Sequence, residues 1–345
     1  MVDIKVTVRE LNVGEEAAWD ELVLSSHQKT ICLLNNFQKM WVATDPSLYL
    51  LRLGCYDDQG RLIGGQAFFH RKVLGVRLQR LSSILYTNTP ILSGFLQNNG
   101  RGKFIVLSAL SNASRKYFPY QRVECAPSLT DVRPFLEHGW RAVPLYTHIW
   151  DIRDPEAILH RMHRKRRYVR NALENMLFAR ESGEAILADF LRLYRETMKK
   201  FDWQPTNAWE EAFRKRMEWL EARDCVRLYT CRMKTGDLVC VAVFLLSRPS
   251  QTAYSWLIGY DHTLNSKEFP PAINWYAARD LCAEFSYLDF FDGNELNIYA
   301  FKDSLGTYSA PYFVLKTQNA DHLLHYYYKA KNAMQSIFGI LQRLR

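Results

Sequence analysis

The same order of secondary structure is predicted twice along the chain, and this repetition limits the folds open to it. In the first half, a strand precedes two helices and then two strands joined at the turn from Asp57 to Gly60. In the second half, a short strand again precedes two helices and two strands, joined at the turn from Lys234 to Asp237. Glycine-containing turns between strand-like runs indicate β-hairpins. The sequence therefore predicts two duplicated domains in which strands and helices are mixed.

The predicted elements define three segments. The first half is predicted to contain strands near 4–10, 48–57, 61–71, 120–125 and 144–151, with helices near 15–26, 33–43, 102–117 and 131–138. In the second half, the predicted helices run from 153 to about 176, near 184–200, near 207–223 and from 270 onward. The predicted strands of this half lie near 176–180, 225–233, 238–247, 252–260 and 287–291. We expect domains at 1–152 and 153–318, and an amphipathic helix within 319–345 that packs back on the first domain.

Composition restricts the class of protein. The chain has 345 residues and is 48% hydrophobic, which is enough for two separate cores. It lacks a run of about 18 apolar residues and a signal-peptide pattern at its start, so we expect a cytoplasmic protein. Its seven cysteines form no CxxC pair, which argues against a disulfide framework and a zinc site, and we expect no metal. The net charge of +9 favours polyanionic partners such as tRNA, phosphorylated substrates or a membrane surface.

The most specific pattern lies near the end of the second domain. The run from 294 to 306 follows a predicted strand and an Asp292-Gly293 turn, and it contains the pair Phe301-Lys302. It resembles the corresponding segment of Fem-type aminoacyltransferases, which are GNAT-superfamily transferases. The resemblance implies an α/β (mixed α+β) fold of two tandem GNAT-like domains, each a mixed sheet flanked by helices. It also implies that Lys302 lies at the acyl carbonyl and that Phe301 positions it.

This role for Lys302 has a physical basis. Attack of an amine on an ester carbonyl builds negative charge on oxygen, which a fixed ammonium stabilises. The alternative is a surface lysine in a connection between strands. Asp289 and Asp292 are the carboxylates nearest to Lys302 in sequence and are candidate general bases for the amine. For Asp292, capping of the turn is the competing interpretation.

A basic run at the start of the second domain indicates an anion-binding surface. Met162, Val169, Leu173 and Met176 form its buried stripe, which leaves the cations on the open faces. The candidate tRNA or phosphate ligands are Arg161, Arg164, Lys165, Arg166, Arg167 and Arg170. Arginine side chains match the geometry of phosphate groups. A solvated helix face is the alternative.

Further candidates line the predicted substrate cleft. The stretch from Tyr194 to Lys200 resembles the family's Tyr-x-x-Thr-x-x-Arg segment, in which the basic residue helps to hold an anionic acceptor. Here a lysine replaces the arginine, so only simple charge pairing is expected. Tyr254, Trp256 and Tyr260 alternate along one strand and are predicted to share a face, as substrate contacts or as core.

A glycine-rich loop typical of acetyl-CoA-dependent GNAT enzymes is not found in two places where it would be expected. That loop reads Arg/Gln-x-x-Gly-x-Gly/Ala and cradles a pyrophosphate at a helix N-terminus. The junction from 259 to 270 has one glycine and two acids, and the segment from 81 to 94 lacks the glycine spacing. This absence favours a donor other than acetyl-CoA.

The leading hypothesis is therefore a Fem-like aminoacyltransferase without a cofactor. It would move an aminoacyl group from aminoacyl-tRNA to an amine on a small metabolite or a peptidoglycan precursor. One alternative is an N- or O-acyltransferase that uses acyl-CoA or an acyl carrier protein. Another is a non-catalytic protein that binds nucleic acid or a membrane surface peripherally through its basic helix.

Overall fold

The fold is described from a computed structural model of the chain. It describes residues 5–73, 76–79, 86–118, 120–163, 165–264, 267–292 and 294–317, and only the backbone at 73, 76 and 292. The helix predicted within 319–345 lies outside these residues, as do the predicted site residues Arg164 and the side chain of Asp292.

The described residues form ten α-helices and thirteen strands. The helices are α1 (Glu16–Ser25), α2 (Asn35–Thr44), α3 (Gly100–Tyr117), α4 (Arg133–Leu136), α5 (Pro155–Arg161), α6 (Lys165–Asn175), α7 (Glu184–Lys199), α8 (Asn207–Glu221), α9 (Phe269–Leu281) and α10 (Leu296–Ser304). The strands are β1 (Thr7–Glu10), β2 (Tyr49–Tyr56), β3 (Leu62–Val73), β4 (Val76–Gln79), β5 (Ile91–Leu92), β6 (Arg122–Glu124), β7 (Arg141–Asp151), β8 (Met176–Glu181), β9 (Val226–Met233), β10 (Leu238–Ser247), β11 (Thr252–Tyr260), β12 (Tyr287–Asp292) and β13 (Tyr308–Lys316).

The chain divides into two compact units. The first contains residues 1–28, 47–144 and 312–345, and the second contains 29–46 and 145–311. The change between units at 144 and 145 falls within β7, close to the predicted boundary at 152 and 153. The second unit also takes the segment 29–46, which the sequence placed in the first domain. The assignment of each predicted segment to its own GNAT-like domain stays a prediction.

In the first unit, an antiparallel sheet is packed closely between helices. Its strands follow the order β1-β2-β3-β4, with β5 also paired to β3. Adjacent glycines in β3 let helices approach on both faces. A Cβ atom at Gly64 would collide with Val106 of α3, and one at Gly65 would lie 2.6 Å from the Trp19 ring of α1. A larger residue at either position would force these side chains to shift.

In the second unit, the strands follow the order β7-β12-β11-β10-β9-β8. Neighbouring strands are antiparallel, except for β11 and β12, which run parallel. All residues of β10 from 239 to 247 are buried, so both faces of this strand are covered. The core on the α9 face includes Trp150, Phe244, Ile273 and Leu305.

The predicted single helix from 153 to about 176 is wrong in one respect. The structure has two helices, α5 and α6, because the backbone turns at His163, which has a left-handed φ of 42°. Asp154 caps α5 by accepting a hydrogen bond from the Ala157 amide at 3.0 Å. The basic run is therefore divided, with Arg161 at the end of α5 and residues from Lys165 onward on α6.

Candidate active site

The parallel strands β11 and β12 separate partway along their length. They pair at Thr252 with Tyr287, at Ala253 with Leu288 and at Tyr254 with Asp289. Strand β11 continues to Tyr260, where its amide instead donates a 3.0 Å hydrogen bond to Thr197 Oγ1 on α7. The sheet of the second unit therefore opens beyond the third pair.

A bulge in β11 changes which side chains share a face. Val243 pairs with Leu257 and Phe244 with Ser255, so Trp256 is the extra residue. The prediction that Tyr254, Trp256 and Tyr260 share a face is therefore wrong for Tyr260, which packs against the core on the α9 face. Side chains alternate regularly between the two faces of a strand only where the strand has no bulge.

A second bulge lies at the end of β12. Asp289 pairs with Ile149 but Asp292 pairs with Thr147, so β12 contains one more residue than β7 over this stretch. Phe291 has a left-handed φ of 56°, which is costly for a bulky residue. Its ring stacks on Tyr254 with the centroids 4.8 Å apart. This conformation turns two successive carbonyls of β12 towards α10.

Lys302 binds at this bulge. Its Nζ donates to the carbonyl oxygen of Phe290 at 2.7 Å and to that of Phe291 at 3.3 Å. Lys302 lies near the end of α10, a helix that the sequence did not indicate. The neighbouring Phe301 packs against the core and has Lys165 Nζ 5.6 Å from its ring centroid. The ammonium is thus held in place by backbone oxygens next to the opening in the sheet.

Asp289 is buried beneath the same bulge. Its Oδ1 accepts a hydrogen bond from the Phe291 amide at 2.7 Å and a short one from Thr147 Oγ1. Burial raises its pKa to about 6, although these hydrogen bonds and the charge of Lys302 act in the opposite direction. The carboxylate therefore supports the strained turn, and its predicted role as a general base stays a prediction. For Asp292, the structure gives the backbone pairing with Thr147.

The predicted substrate-binding side chains fall into separate groups. Tyr254 is buried, and its hydroxyl donates to Thr30 Oγ1 at 3.3 Å. Tyr194 is also buried and stacks on Trp209, with the centroids 5.7 Å apart. Trp256 contacts Phe213 of the same aromatic cluster. For Tyr254 and Tyr194 these contacts are those of core residues, whereas Trp256 is partly buried.

Lys200 and Tyr260 form the more exposed group. Lys200 Nζ lies 5.5 Å from the centroid of the Tyr260 ring, and the centroid of the His262 ring lies 4.0 Å from it. Lys200 is exposed at the end of α7. Of the five predicted substrate contacts, Lys200 thus has the exposure that a binding residue needs.

Three of the predicted phosphate ligands come together on α6. Arg166, Arg167 and Arg170 line an open groove of about 610 Å³ together with Tyr168 and Asn171. An open groove lined by arginines suits an extended anionic ligand.

Lys165 and Arg161, the other described basic residues, do not line that groove. Lys165 turns towards Tyr168 and Phe301, and burial, followed by the charge of Lys267, lowers its pKa. Arg161 is exposed at the end of α5. Lys165 therefore lies near both Tyr168, which lines the groove, and Phe301 of the Lys302 segment.

The first unit contains a loop that the sequence reasoning missed. Gln97, Gly100 and Gly102 have the Gln-x-x-Gly-x-Gly spacing, and the structure places them at the start of α3. A cavity of about 240 Å³ is lined by Gln97 and Lys103, among others. The helix start is already capped, since Asn99 Oδ1 accepts the Gly102 amide at 2.8 Å. The spacing is visible in the sequence but lies just beyond Gly94, outside the two segments in which the loop was expected.

Part of the chain matches a known protein family. Residues 159–303 match the acetyltransferase (GNAT) domain. The matched part of the chain starts within α5, ends within α10 and contains Lys302.

Most of the chain has a fold similar to that of FemX and of tandem GNAT proteins. It is similar to the crystal structure of FemX, with a TM-score of 0.64 and 12% identity over 88% of this chain and 96% of FemX. It is also similar to a tandem GNAT protein from the clavulanic acid biosynthesis pathway, with a TM-score of 0.55 and 10% identity over 90% of this chain and 98% of that one. The predicted fold class and the resemblance to this group are confirmed.

A third similar structure is the C-terminal domain (DUF2156) of a protein assigned as a lysylphosphatidylglycerol synthetase from Agrobacterium fabrum. It has a TM-score of 0.55 and 11% identity over 91% of this chain and 95% of that domain. At these identities the likeness shows a shared fold. A comparison with curated proteins finds no match. Within the described residues, no helix is long and apolar enough to cross a membrane.

Proposed function

We propose that this protein transfers an aminoacyl group from aminoacyl-tRNA to an amine acceptor, a small metabolite or a peptidoglycan or lipid precursor. The observation that carries the proposal is the fixed ammonium of Lys302, held by two backbone carbonyls beside the point where β11 and β12 separate. The likeness to FemX and to the lysylphosphatidylglycerol synthetase domain supports aminoacyl transfer over other acyl transfer.

The chemistry follows from the charge that develops during attack. The acceptor nitrogen forms a bond to the ester carbonyl carbon, and the carbonyl oxygen becomes negative in the tetrahedral intermediate. The Lys302 ammonium stabilises that oxygen by several kcal/mol in a water-poor site. The bond to the ribose oxygen then breaks, and the proton lost by the amine balances the proton gained by the ribose hydroxyl. The arginine groove on α6 would hold phosphates of the tRNA.

The experiment combines a donor choice with a single substitution. Purified protein receives radiolabelled aminoacyl-tRNA or radiolabelled acyl-CoA in separate reactions with a pool of amine acceptors. We expect label transfer from aminoacyl-tRNA that RNase abolishes, and a loss of about a hundredfold or more in kcat for Lys302→Met. Lys215→Met is the matched control, because Lys215 forms only an exposed ion pair with Glu211 on α8. Unchanged turnover in Lys302→Met refutes the role of Lys302.

The loop at the start of α3 favours a second candidate function, transfer from acyl-CoA. Its glycine spacing and the adjacent Arg101 and Lys103 suit a pyrophosphate at a helix N-terminus. Isothermal titration with CoA tests this candidate directly. Binding that is lost in Arg101→Glu/Lys103→Glu, together with RNase-resistant transfer, would replace the aminoacyl-tRNA proposal.

A further inference from the structure

His148 is a fully buried histidine of the second unit that the proposed chemistry does not use. It lies on β7 with no exposed surface, and its ring packs 5.5 Å from that of Tyr299 on α10. Its Nδ1 is 3.0 Å from Thr307 Oγ1. Its Nε2 has no hydrogen-bond partner within the part of the chain that the structure describes. A buried polar atom without a partner lowers stability, so this side chain requires an explanation.

The hydrogen bonds around Thr307 determine the form of the imidazole. Thr307 Oγ1 also lies 3.0 Å from the carbonyl oxygen of Lys302, which can only accept. The hydroxyl therefore donates its one proton to Lys302 and accepts from Nδ1–H of His148. The proton of the neutral ring is on Nδ1, and Nε2 carries a lone pair. Burial, followed by the charge of Lys302, keeps the pKa of His148 below its ordinary value and favours this neutral form.

Strand β7 thus fixes the end of α10 at two points. Trp150 Nε1 donates to the carbonyl oxygen of Leu305 at 3.0 Å, and His148 acts through Thr307 on the carbonyl of Lys302. The side chain of Lys302 is held at its other end by the carbonyls of β12. The backbone and the ammonium of the same residue are therefore anchored separately. The Trp150 contact fixes the helix, whereas the His148 contact reaches Lys302 itself.

We propose that His148 is a positioning residue that sets the location of the Lys302 ammonium through Thr307. The inference rests on the proposed role of Lys302 in acyl transfer. An ammonium stabilises an oxyanion only when it is preorganised at the correct place, so a looser Lys302 backbone slows the chemical step. It does not weaken ground-state binding, since His148 is buried and does not reach a substrate.

The test compares variants that remove or keep single hydrogen-bonding groups. His148→Phe removes both ring nitrogens, and Thr307→Val removes the hydroxyl that relays the contact. His148→Asn keeps an N–H close to the position of Nδ1 and is the conservative rescue. His70→Phe is the matched control, since His70 on β3 of the first unit is another buried histidine whose Nδ1 has no hydrogen-bond partner among the described residues. All four are measured for kcat, for KM of both substrates and for thermal unfolding.

We expect His148→Phe and Thr307→Val to lower kcat by about three- to tenfold, the effect of one weak hydrogen bond. KM should stay unchanged, and thermal unfolding checks that each variant is folded. His148→Asn should recover most of the activity, and His70→Phe should retain all of it. The His148→Phe/Thr307→Val double variant should be no slower than either single variant, since both substitutions break the same link from His148 through Thr307 to the Lys302 carbonyl.

Three results overturn the inference: wild-type kcat in His148→Phe, an asparagine variant as slow as the phenylalanine variant, or a change in KM alone. A fourth comparison separates it from the proposed function. In a Lys302→Met background, His148→Phe should cause no further loss, and an added loss there would show that His148 acts elsewhere. If Lys302→Met itself keeps full turnover, the proposed function fails, whereas a required Lys302 with an indifferent His148 refutes this inference alone.

Discussion

Replacement of Asp289 by asparagine tests the buried carboxyl beneath the β12 bulge. Asp289 has a folded pKa of about 6 against an ordinary value of 3.8. Because the folded protein then holds its proton to higher pH than the unfolded chain does, stability falls as the pH rises from about 4 through about 6. A pKa difference of about 2 corresponds to about 3 kcal/mol of unfolding free energy, and the ionised Asp289 lowers the stability of the wild-type protein by this amount at pH 7.

The substituted amide would carry no charge but would keep an oxygen that accepts from the Phe291 amide and from Thr147. Asp289→Asn should therefore match the wild-type protein near pH 4 and become more stable by up to about 3 kcal/mol above pH 7. Urea unfolding of both proteins across this pH range measures the difference. If the carboxylate supports the turn, turnover should stay within about threefold of wild type, whereas loss of a general base costs about a hundredfold or more.

Asp261→Asn is a control whose effect on stability at neutral pH should have the opposite sign. Hydrogen bonds from Thr263 lower the pKa of Asp261. Removal of the Asp261 carboxylate should therefore reduce stability at neutral pH and have no effect in acid. Two outcomes refute the reasoning for Asp289. One is a stability difference from wild type that does not change between pH 4 and pH 7, and the other is a hundredfold loss of activity, which would restore the base role.

Three further predictions follow from contacts in the second unit. Substitution of Arg166, Arg167 and Arg170 by alanine should reduce the slope of log affinity against log salt for tRNA by about 2 to 3, measured by filter binding; an unchanged slope would remove the groove from the tRNA site. Gly306→Ala should destabilise by about 2 kcal/mol or more, since φ is 69° and a Cβ would lie 2.8 Å from backbone at the end of α5; urea unfolding equal to wild type would contradict this. Thr206→Ala should cost about 1 kcal/mol through the lost N-cap of α8, measured in the same way, and no loss would show that the cap is replaced by water.

Much of the second unit could be predicted because the hydrophobic and turn patterns of its sequence agree with the way its strands and helices pack. The predicted strands near 225–233, 238–247 and 252–260 are all present, and the Lys234 to Asp237 turn joins β9 to β10 as expected. A continuous apolar run identifies β10 as a strand that is buried on both faces. Helix α7 buries Leu187, Phe190 and Leu191, as helical spacing indicates.

The site itself was less accessible to sequence reasoning. A bulge adds one residue at Trp256 and another near Phe291, and neither position carries a glycine or proline that would mark it. The left-handed His163 divides α5 from α6 with no such signal either. Lys302 was found through a short motif, but its partners on β12 and its link to His148 depend on contacts between residues distant in sequence. Burial of Asp289 likewise depends on the strands paired around it.

The segment 29–46 belongs to the second unit, although the chain on both sides of it belongs to the first. Within the second unit, the guanidinium of Arg216 on α8 stacks 3.7 Å above the Trp41 ring and donates to Thr44 Oγ1 at 2.8 Å. A fragment that starts at 153 would therefore expose this face of α8 and lose β7 from the edge of β12. Neither unit is a continuous length of chain. During synthesis, part of the first unit would therefore leave the ribosome before the second unit could begin to fold. For the same reason, a single crossover could not exchange either unit between relatives.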